Sequence, residues 1–369
     1  MLTLDGCRQR LQRLLAAMES RGLELVVLGN PKTIYYFSGA QVDADRPQAL
    51  AVLRNGTTLL VTNREPAQSI ADSMEFYTAY TLDRAFLHRT MNEEATAAVK
   101  KFAVRRRGSL AAVEFEFLNT GIGCAIDSRD LRNITPLMEE MRRRKDPDEL
   151  EEFQAVIGMA EAAYGAIKGA LRPGMTEYEA YLVMYEAMVR NAGTALEFRG
   201  DFAAGVRGIN GGGPPTDRKL EEGDLYILDL FPSWQGYTCD LCRTFCVGEP
   251  SDLQRAAWEC VVQAHDKARE VMRPGARCRD LYAAIRDHLE TFEAARGSFT
   301  HHLGHGVGMD AWEYPWLNRG TDQELLEGEV IAVEPGLYSE DMRGGVRLEH
   351  NYLVGADNVR ALDLFPLDL

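Results

Sequence analysis

The second half of this chain repeats itself, and each copy closes an apolar run on an acidic residue. The first copy reads Leu171-Arg172-Pro173-Gly174, a helical stretch, then Glu222-Gly223-Asp224-Leu225-Tyr226-Ile227-Leu228-Asp229. The second reads Met272-Arg273-Pro274-Gly275, a helical stretch, then Glu327-Gly328-Glu329-Val330-Ile331-Ala332-Val333-Glu334. In both, the acid stands six residues after the glycine, at the end of a run whose β-branched and aromatic content predicts a strand. A repeat of this kind predicts two related halves, each a helix pair followed by antiparallel strands, with a pseudo-twofold that brings the acidic strands together. A carboxylate at the end of a core strand needs a partner, and two equivalent strands offering carboxylates to one centre point to a metal site.

Each acidic strand also returns. After Asp229 the chain turns through Pro232-Ser233-Trp234-Gln235-Gly236 and comes back as Thr238-Cys239-Asp240-Leu241-Cys242-Arg243-Thr244-Phe245. After Glu334 it passes Pro335-Gly336 and Gly344-Gly345 and returns as Val346-Arg347-Leu348-Glu349-His350-Asn351. Two hairpins thus present four acids, which cannot all stay ionised side by side without cations, so two divalent ions are the economical reading. A fifth donor comes from Thr300-His301-His302-Leu303-Gly304-His305-Gly306, where glycines around His305 permit close backbone approach and leave the imidazole facing a pocket.

The surroundings are those of an ordinary globular protein. At 369 residues, 46% hydrophobic and 26% charged, the chain is long enough for two domains. A formal net charge of -15 argues against a nucleic-acid surface, which needs a basic face. No stretch reads as a membrane span or a secretory signal, and seven cysteines are too sparse for a disulfide scaffold, so the expected compartment is the cytoplasm.

The organisation divides near residue 145. Residues 1–140 alternate helix and strand patterns: a helix ending about Ser20, a strand Leu25–Leu28, the run Ile34–Gly39, then strands Ala49–Leu53 and Thr58–Thr62 joined through Arg54-Asn55-Gly56, and a strand Ser109–Phe115. Residues 141–148 form a charged joint whose basic run, Arg142 to Lys145, reads as a solvated helix start rather than a nucleic-acid contact. Pro147 opens the next helix, Pro173-Gly174 stops it, Thr176 with Glu179 and Ser251 with Gln254 cap later ones, and Gly193 ends one.

Taken together, these residues resemble metallopeptidase family M24, the pita-bread metallohydrolases, in the Xaa-Pro peptidase branch that includes aminopeptidase P and prolidase. The resemblance implies an α/β fold with a creatinase-like N-terminal domain over 1–140, a linker at 141–148 and a pita-bread domain, a duplicated α+β unit, over 149–369. It implies five ligands for two divalent ions (Mn, Co, Zn or Fe, with Mn favoured): Asp240 and Glu349 bridging, Asp229 on one ion, His305 and Glu334 on the other. Glu334 would carry protons in hydrolysis, His301 would contact substrate, and Arg347 stands where the family has a supporting arginine. A homodimer and a small peptide or small-molecule substrate are also implied.

Two positions depart from the family pattern. Where a pocket histidine usually precedes Pro215-Thr216-Asp217-Arg218 this chain has Gly212, within Gly211-Gly212-Gly213, and where a His-Glu pair usually follows it has Trp312-Glu313. Loss of one transition-state donor costs roughly 100- to 1,000-fold in rate when nothing replaces it. The departures leave three readings open: an Xaa-Pro dipeptidase or aminopeptidase, a metal-dependent hydrolase or lyase acting on a non-peptide small molecule in the manner of ectoine hydrolase, and a metal-binding protein without peptidase activity. Trp312, Tyr314 and Trp316 are candidates to line an apolar substrate pocket.

Overall fold

The computed structural model describes residues 1–81, 84–85, 88–103, 110–126, 130–210 and 212–369. It divides into two compact units, Met1–Met141 and Arg142–Leu369.

In the first unit, helix α1 (Leu4–Ser20) buries Cys7, Leu11, Leu14 and Met18, one side at helical spacing. Strand β1 (Leu25–Leu28) follows, then α2 (Pro31–Ser38), β2 (Ala49–Leu53), β3 (Thr58–Thr62) and β4 (Ser73–Phe76). The run Ile34–Gly39 is helical: Asn30 caps its start, Pro31 takes the first turn, and Gly39 closes it at φ 74°. A short pair, β5 (Tyr80–Thr81) and β6 (Arg84–Ala85), precedes α3 (His88–Ala103), β7 (Ala111–Val113), α4 (Thr120–Ala125), β8 (Leu131–Asn133) and α5 (Thr135–Arg143). The strand expected over Ser109–Phe115 is thus represented by β7, with Ser109 outside the described residues. Six strands form one mixed sheet in the order β4-β3-β2-β1-β7-β8, and β2 and β3 are the antiparallel hairpin that Asn55-Gly56 predicts.

The second unit carries the duplication. Its first half is α6 (Pro147–Ala170), α7 (Glu177–Ala192), β9 (Glu197–Ala204), β10 (Leu225–Trp234), β11 (Tyr237–Thr238) and β12 (Leu241–Cys246). Its second half is α8 (Asp252–Val271), α9 (Cys278–Leu289), β13 (Gly304–Gly306), β14 (Glu313–Leu317), β15 (Val330–Val333), β16 (Gly336–Ser339), β17 (Gly344–Arg347), β18 (His350–Val354) and β19 (Val359–Ala361). Capping boxes at Asp146, Thr176 and Ser251 start three of the helices. Strand β10 lies between β9 and β12, antiparallel to both, and β15 lies likewise between β13 and β18. The faces of α8 and α9 bury Ala257, Val261, Ala264, Leu281 and Ile285 against Ile331, Val333, Val346 and Tyr352. Among the described residues no helix is long and apolar enough to cross a membrane.

Of the basic run after Met141 only Arg144 is exposed. Arg142, Arg143 and Lys145 are buried, with Arg142 and Lys145 on the buried carboxylate of Glu313 and Arg143 on that of Glu329. The expectation of a solvated helix start fails because the acids that answer this run lie more than 160 residues later in sequence.

Candidate metal centre

Three of the four acids stand where strands end or break, and the fourth corrects the expected pattern: β10 does not end at Asp229 or turn at Pro232 but runs on to Trp234, paired with β9. Asp229 sits within β10, whereas Glu334 directly follows β15. Asp240 and Glu349 occupy the gaps between β11 and β12 and between β17 and β18. His305 is the middle residue of β13, paired with Ala332 of β15, so the histidine arrives beside the Glu334 end of the second half. All five are 7% exposed or less. His305 Nε2 stands 3.5 Å from Asp240 Oδ2 and 3.8 Å from Glu334 Oε1, while its Nδ1 meets the Gly306 carbonyl at 3.0 Å. With Nδ1–H donating to that carbonyl, the Nε2 lone pair faces the carboxylates, as a metal-binding imidazole requires.

The titration behaviour agrees with the geometry. Burial pushes Asp240 and Glu349 well above the usual carboxylate range, and the neighbouring carboxylates push further. Asp229 is raised to about 7, by burial first, with the Arg347 guanidinium pulling the other way. Burial would also raise Glu334, but His302, His301 and Arg347 beside it hold it down to about 2. Burial keeps His301 and His305 below their ordinary value, and so neutral at pH 7.

Whether these residues fit divalent ions can be judged from orphaned atoms. Asp229 Oδ1 and both carboxylate oxygens of Glu349 are fully buried with no hydrogen-bond partner among the described residues. A buried unpaired carboxylate oxygen is costly, and a cation removes that cost. Two overlapping groups of donors lie within 4.8 Å of one another: Asp240, His305 and Glu349, and His302, His305 and Glu334. Carboxylate and imidazole donors at this spacing suit divalent ions, and the fit is good.

Supporting residues tie the two halves together. Arg347 Nη2 reaches Asp229 Oδ2 at 2.6 Å and Asp201 Oδ2 at 3.3 Å. Thr244 Oγ1 accepts from the Arg347 amide and donates to its carbonyl, and the Glu349 amide donates to the Cys242 carbonyl. Asn351 Nδ2 donates to the backbone carbonyl of Asp240. None of these depends on a metal, so the frame is held by the protein itself.

A cavity of about 380 Å³ opens onto the site, lined by Asp201, Gly212, Asp229, Phe231, Asp240, His301, His302, His305, Trp312, Glu334 and Arg347. Four of the five candidate ligands therefore face it, and Glu349 lies behind them. Of the aromatics expected there, Trp312 lines the cavity with its ring 6.2 Å from that of Phe231. Trp316 packs against His302 and His305 instead. Tyr314 is 42% exposed and outside the lining, a correction to the expected pocket role. The cause is a bulge: His305 pairs with Trp316 but Gly306 with Glu313, so Tyr314 and Pro315 have no partner on β13 and turn out of the ladder.

Gly212 is a cavity residue, next to Gly211, which lies outside the described residues. Its φ is 138°, and a Cβ there would come within 2.4 Å of the Asp201 carboxyl carbon. Asp201 therefore fills the place a side chain at 212 would take. His301 is engaged on both ring nitrogens, Nδ1 donating to the His302 carbonyl at 2.7 Å and Nε2 accepting from the Tyr338 hydroxyl at 2.8 Å. A donor role toward substrate would require Nε2 to gain a proton as well as that Tyr338 hydroxyl to turn away. Sequence reading missed Asp201, Tyr338, Asn351 and the orientation of His302. A charged residue opening the apolar run Phe202-Ala203-Ala204 was the one available signal for Asp201.

A duplicated α+β unit with buried carboxylates and an imidazole at its centre defines a class of metallohydrolase. The chain belongs to metallopeptidase family M24, whose profile matches residues 151–356, and residues 10–143 match the creatinase/prolidase N-terminal domain. It is 25% identical over 370 residues to the Xaa-Pro dipeptidase of Pyrococcus horikoshii, covering 97% of this chain and 98% of that one. It is 26% identical over 371 residues to the Xaa-Pro dipeptidase of Lactobacillus helveticus, with the same coverage. Its fold matches the prolidase from Pyrococcus furiosus with a TM-score of 0.79 (23% identity, 95% of this chain and 99% of that one). The match to the Xaa-Pro dipeptidase from Bacillus anthracis has a TM-score of 0.83 (23% identity, 98% and 99%).

Proposed function

We propose that the protein is a metal-dependent Xaa-Pro dipeptidase, holding two divalent ions on Asp229, Asp240, His305, Glu334 and Glu349. The observation that carries this reading is the convergence of four of those donors on one cavity large enough for a dipeptide, with orphaned oxygens on Asp229 and Glu349. Similarity to Xaa-Pro dipeptidases along nearly the whole chain supports the substrate class. When bound, the ions supply Lewis acidity to the scissile carbonyl and to the attacking water. Asp240 and Glu349, both buried, would help hold the ions. Glu334, a carboxylate at neutral pH, accepts a proton from water and returns it to the leaving nitrogen. Arg347 holds Asp229 in one orientation through its Oδ2, leaving Oδ1 free of protein partners. Phe231 and Trp312 offer apolar faces to the substrate's ring.

Manganese is the ion we would supply first, and we propose a cytoplasmic homodimer. The test is metal analysis together with hydrolysis of Xaa-Pro and non-proline dipeptides under Mn, Co and Zn in turn. Proline-selective cleavage with two ions per chain is the expected result. Two bound ions with no peptide cleaved would refute the dipeptidase reading.

A further inference from the structure

His302 is the one imidazole at the site to which neither the repeat nor the family pattern gives a role. Its Nδ1 is shielded from solvent and has no hydrogen-bond partner among the described residues. That atom nonetheless lies 3.1 Å from Glu334 Oε1, the same oxygen that stands 3.8 Å from His305 Nε2. The approach is close but not aligned as a hydrogen bond. A shielded ring nitrogen left in this state is costly, and in this centre Asp229 Oδ1 and the Glu349 oxygens are orphaned in the same way.

We infer that His302 is a further ligand of the cation held by His305 and Glu334. Ligand atoms about 2.0–2.2 Å from one ion stand roughly 3–4 Å apart, and both measured separations fall in that range. The donor atoms of His302, His305 and Glu334 all lie within 4.8 Å of one another. The ring is held ready for this. Trp316 meets it edge-on with centroids 5.1 Å apart, and the His302 carbonyl is pinned by His301 Nδ1–H. Two imidazoles and a carboxylate on one ion make a more nitrogen-rich set than the carboxylates around Asp229, which favours cobalt or zinc over manganese at that position. The inference rests on the metal-dependent reading but not on the identity of the substrate.

Metal binding itself is the test, with no peptide present. Metal-stripped native protein, His302→Ala, His302→Gln and Asp240→Ala are titrated with cobalt, following heat and the visible d–d bands, after circular dichroism has verified folding. His302→Ala should weaken one site at least 100-fold, beyond the 10- to 100-fold typical of residues that only support a ligand, and should shift the cobalt bands. Gln, a poor cobalt ligand that can still hydrogen-bond Glu334, should not restore either. Native affinity and spectrum in His302→Ala, or recovery of both in His302→Gln, would overturn the proposal. Failure of the native chain to bind cobalt would overturn it together with the metal-dependent reading, whereas tight cobalt binding without dipeptide cleavage would count against the dipeptidase reading alone.

Discussion

Gly212 and Asp201 exclude one another, and the size of that exclusion can be worked out. In Gly212→Ala the new Cβ would meet Asp201 Cγ at 2.4 Å and Oδ2 at 2.5 Å, closer than side-chain carbons come to anything, while φ of 138° strains any residue with a side chain. Asp201 cannot simply swing away. Its Oδ1 accepts the Gly213 amide at 2.8 Å, and its Oδ2 faces Arg347. Losing that charge-assisted bond costs about 1.5–3 kcal/mol, and the backbone strain adds about 1–3 kcal/mol. Gly212→Ala should therefore destabilise the second unit by about 2.5–6 kcal/mol. Asp201→Ala would still leave its Cβ 2.6 Å from the new carbon. Asp201→Gly is therefore the change that removes the collision though not the strain, and the Asp201→Gly, Gly212→Ala double variant should recover about 1–3 kcal/mol relative to additivity. All four tryptophans lie in the second unit, so fluorescence during urea unfolding reads that unit alone. A cost under about 0.5 kcal/mol for Gly212→Ala, or additivity within that margin, would refute the steric argument. The same reasoning says that a histidine at 212 raises peptide cleavage only when position 201 is made glycine.

Three other outcomes follow from the site and its frame. Asp240→Ala should lose bound metal in elemental analysis while keeping native circular dichroism; retained metal would count against the ligand set. Burial raises Asp229 to about 7 in the metal-free protein, so metal binding at pH 6 should release a proton and weaken as pH falls below 7. By the same sign, Asp229 favours the metal-free fold fully below its unfolded value near 3.8, and that contribution is lost as pH rises through 7. Calorimetry in buffers of different ionisation enthalpy measures the proton, and buffer-independent heats would contradict it. Burial alone would raise Glu313, but Arg142 and Lys145 outweigh it and hold the carboxyl to about 2. Its stabilisation is present above about 4.5 and lost as pH falls toward 2. Glu313→Gln, which leaves two buried cations short of a partner, should cost about 3–5 kcal/mol in urea unfolding at pH 7.

The parts of this molecule legible in the sequence are those fixed by local chemistry. Asn55-Gly56 gives its hairpin, Thr176 with Glu179 its capping box, and the spacing from Gly328 to Glu334 the end of β15, whereas β10 runs on past Asp229 to Trp234. What was not legible depends on residues far apart in the chain. The basic run at 142–145 looks solvated until Glu313 and Glu329 come back to it. Tyr314 looks like a pocket residue until the β13–β14 register slips, and Gly212 looks like a loss until Asp201 is seen in the same space.

The repeat itself explains where the centre departs from symmetry. Asp201 pairs with Asp229 across β9 and β10, and in the second half the corresponding neighbour of Glu334 is Leu303, whose carbonyl accepts the Glu334 amide. The first half thus spends that position on a carboxylate held by Arg347, and the second on a fully buried leucine that follows His302 and lies two residues before His305. One side of the cavity is therefore anionic and the other imidazole-rich. Two ions held between such halves would sit in different fields, the one beside Asp229 and Asp201 among oxygens and the one beside Glu334 among nitrogens. A pair of sites built from one duplicated motif is then expected to fill in sequence with different metal preferences rather than together.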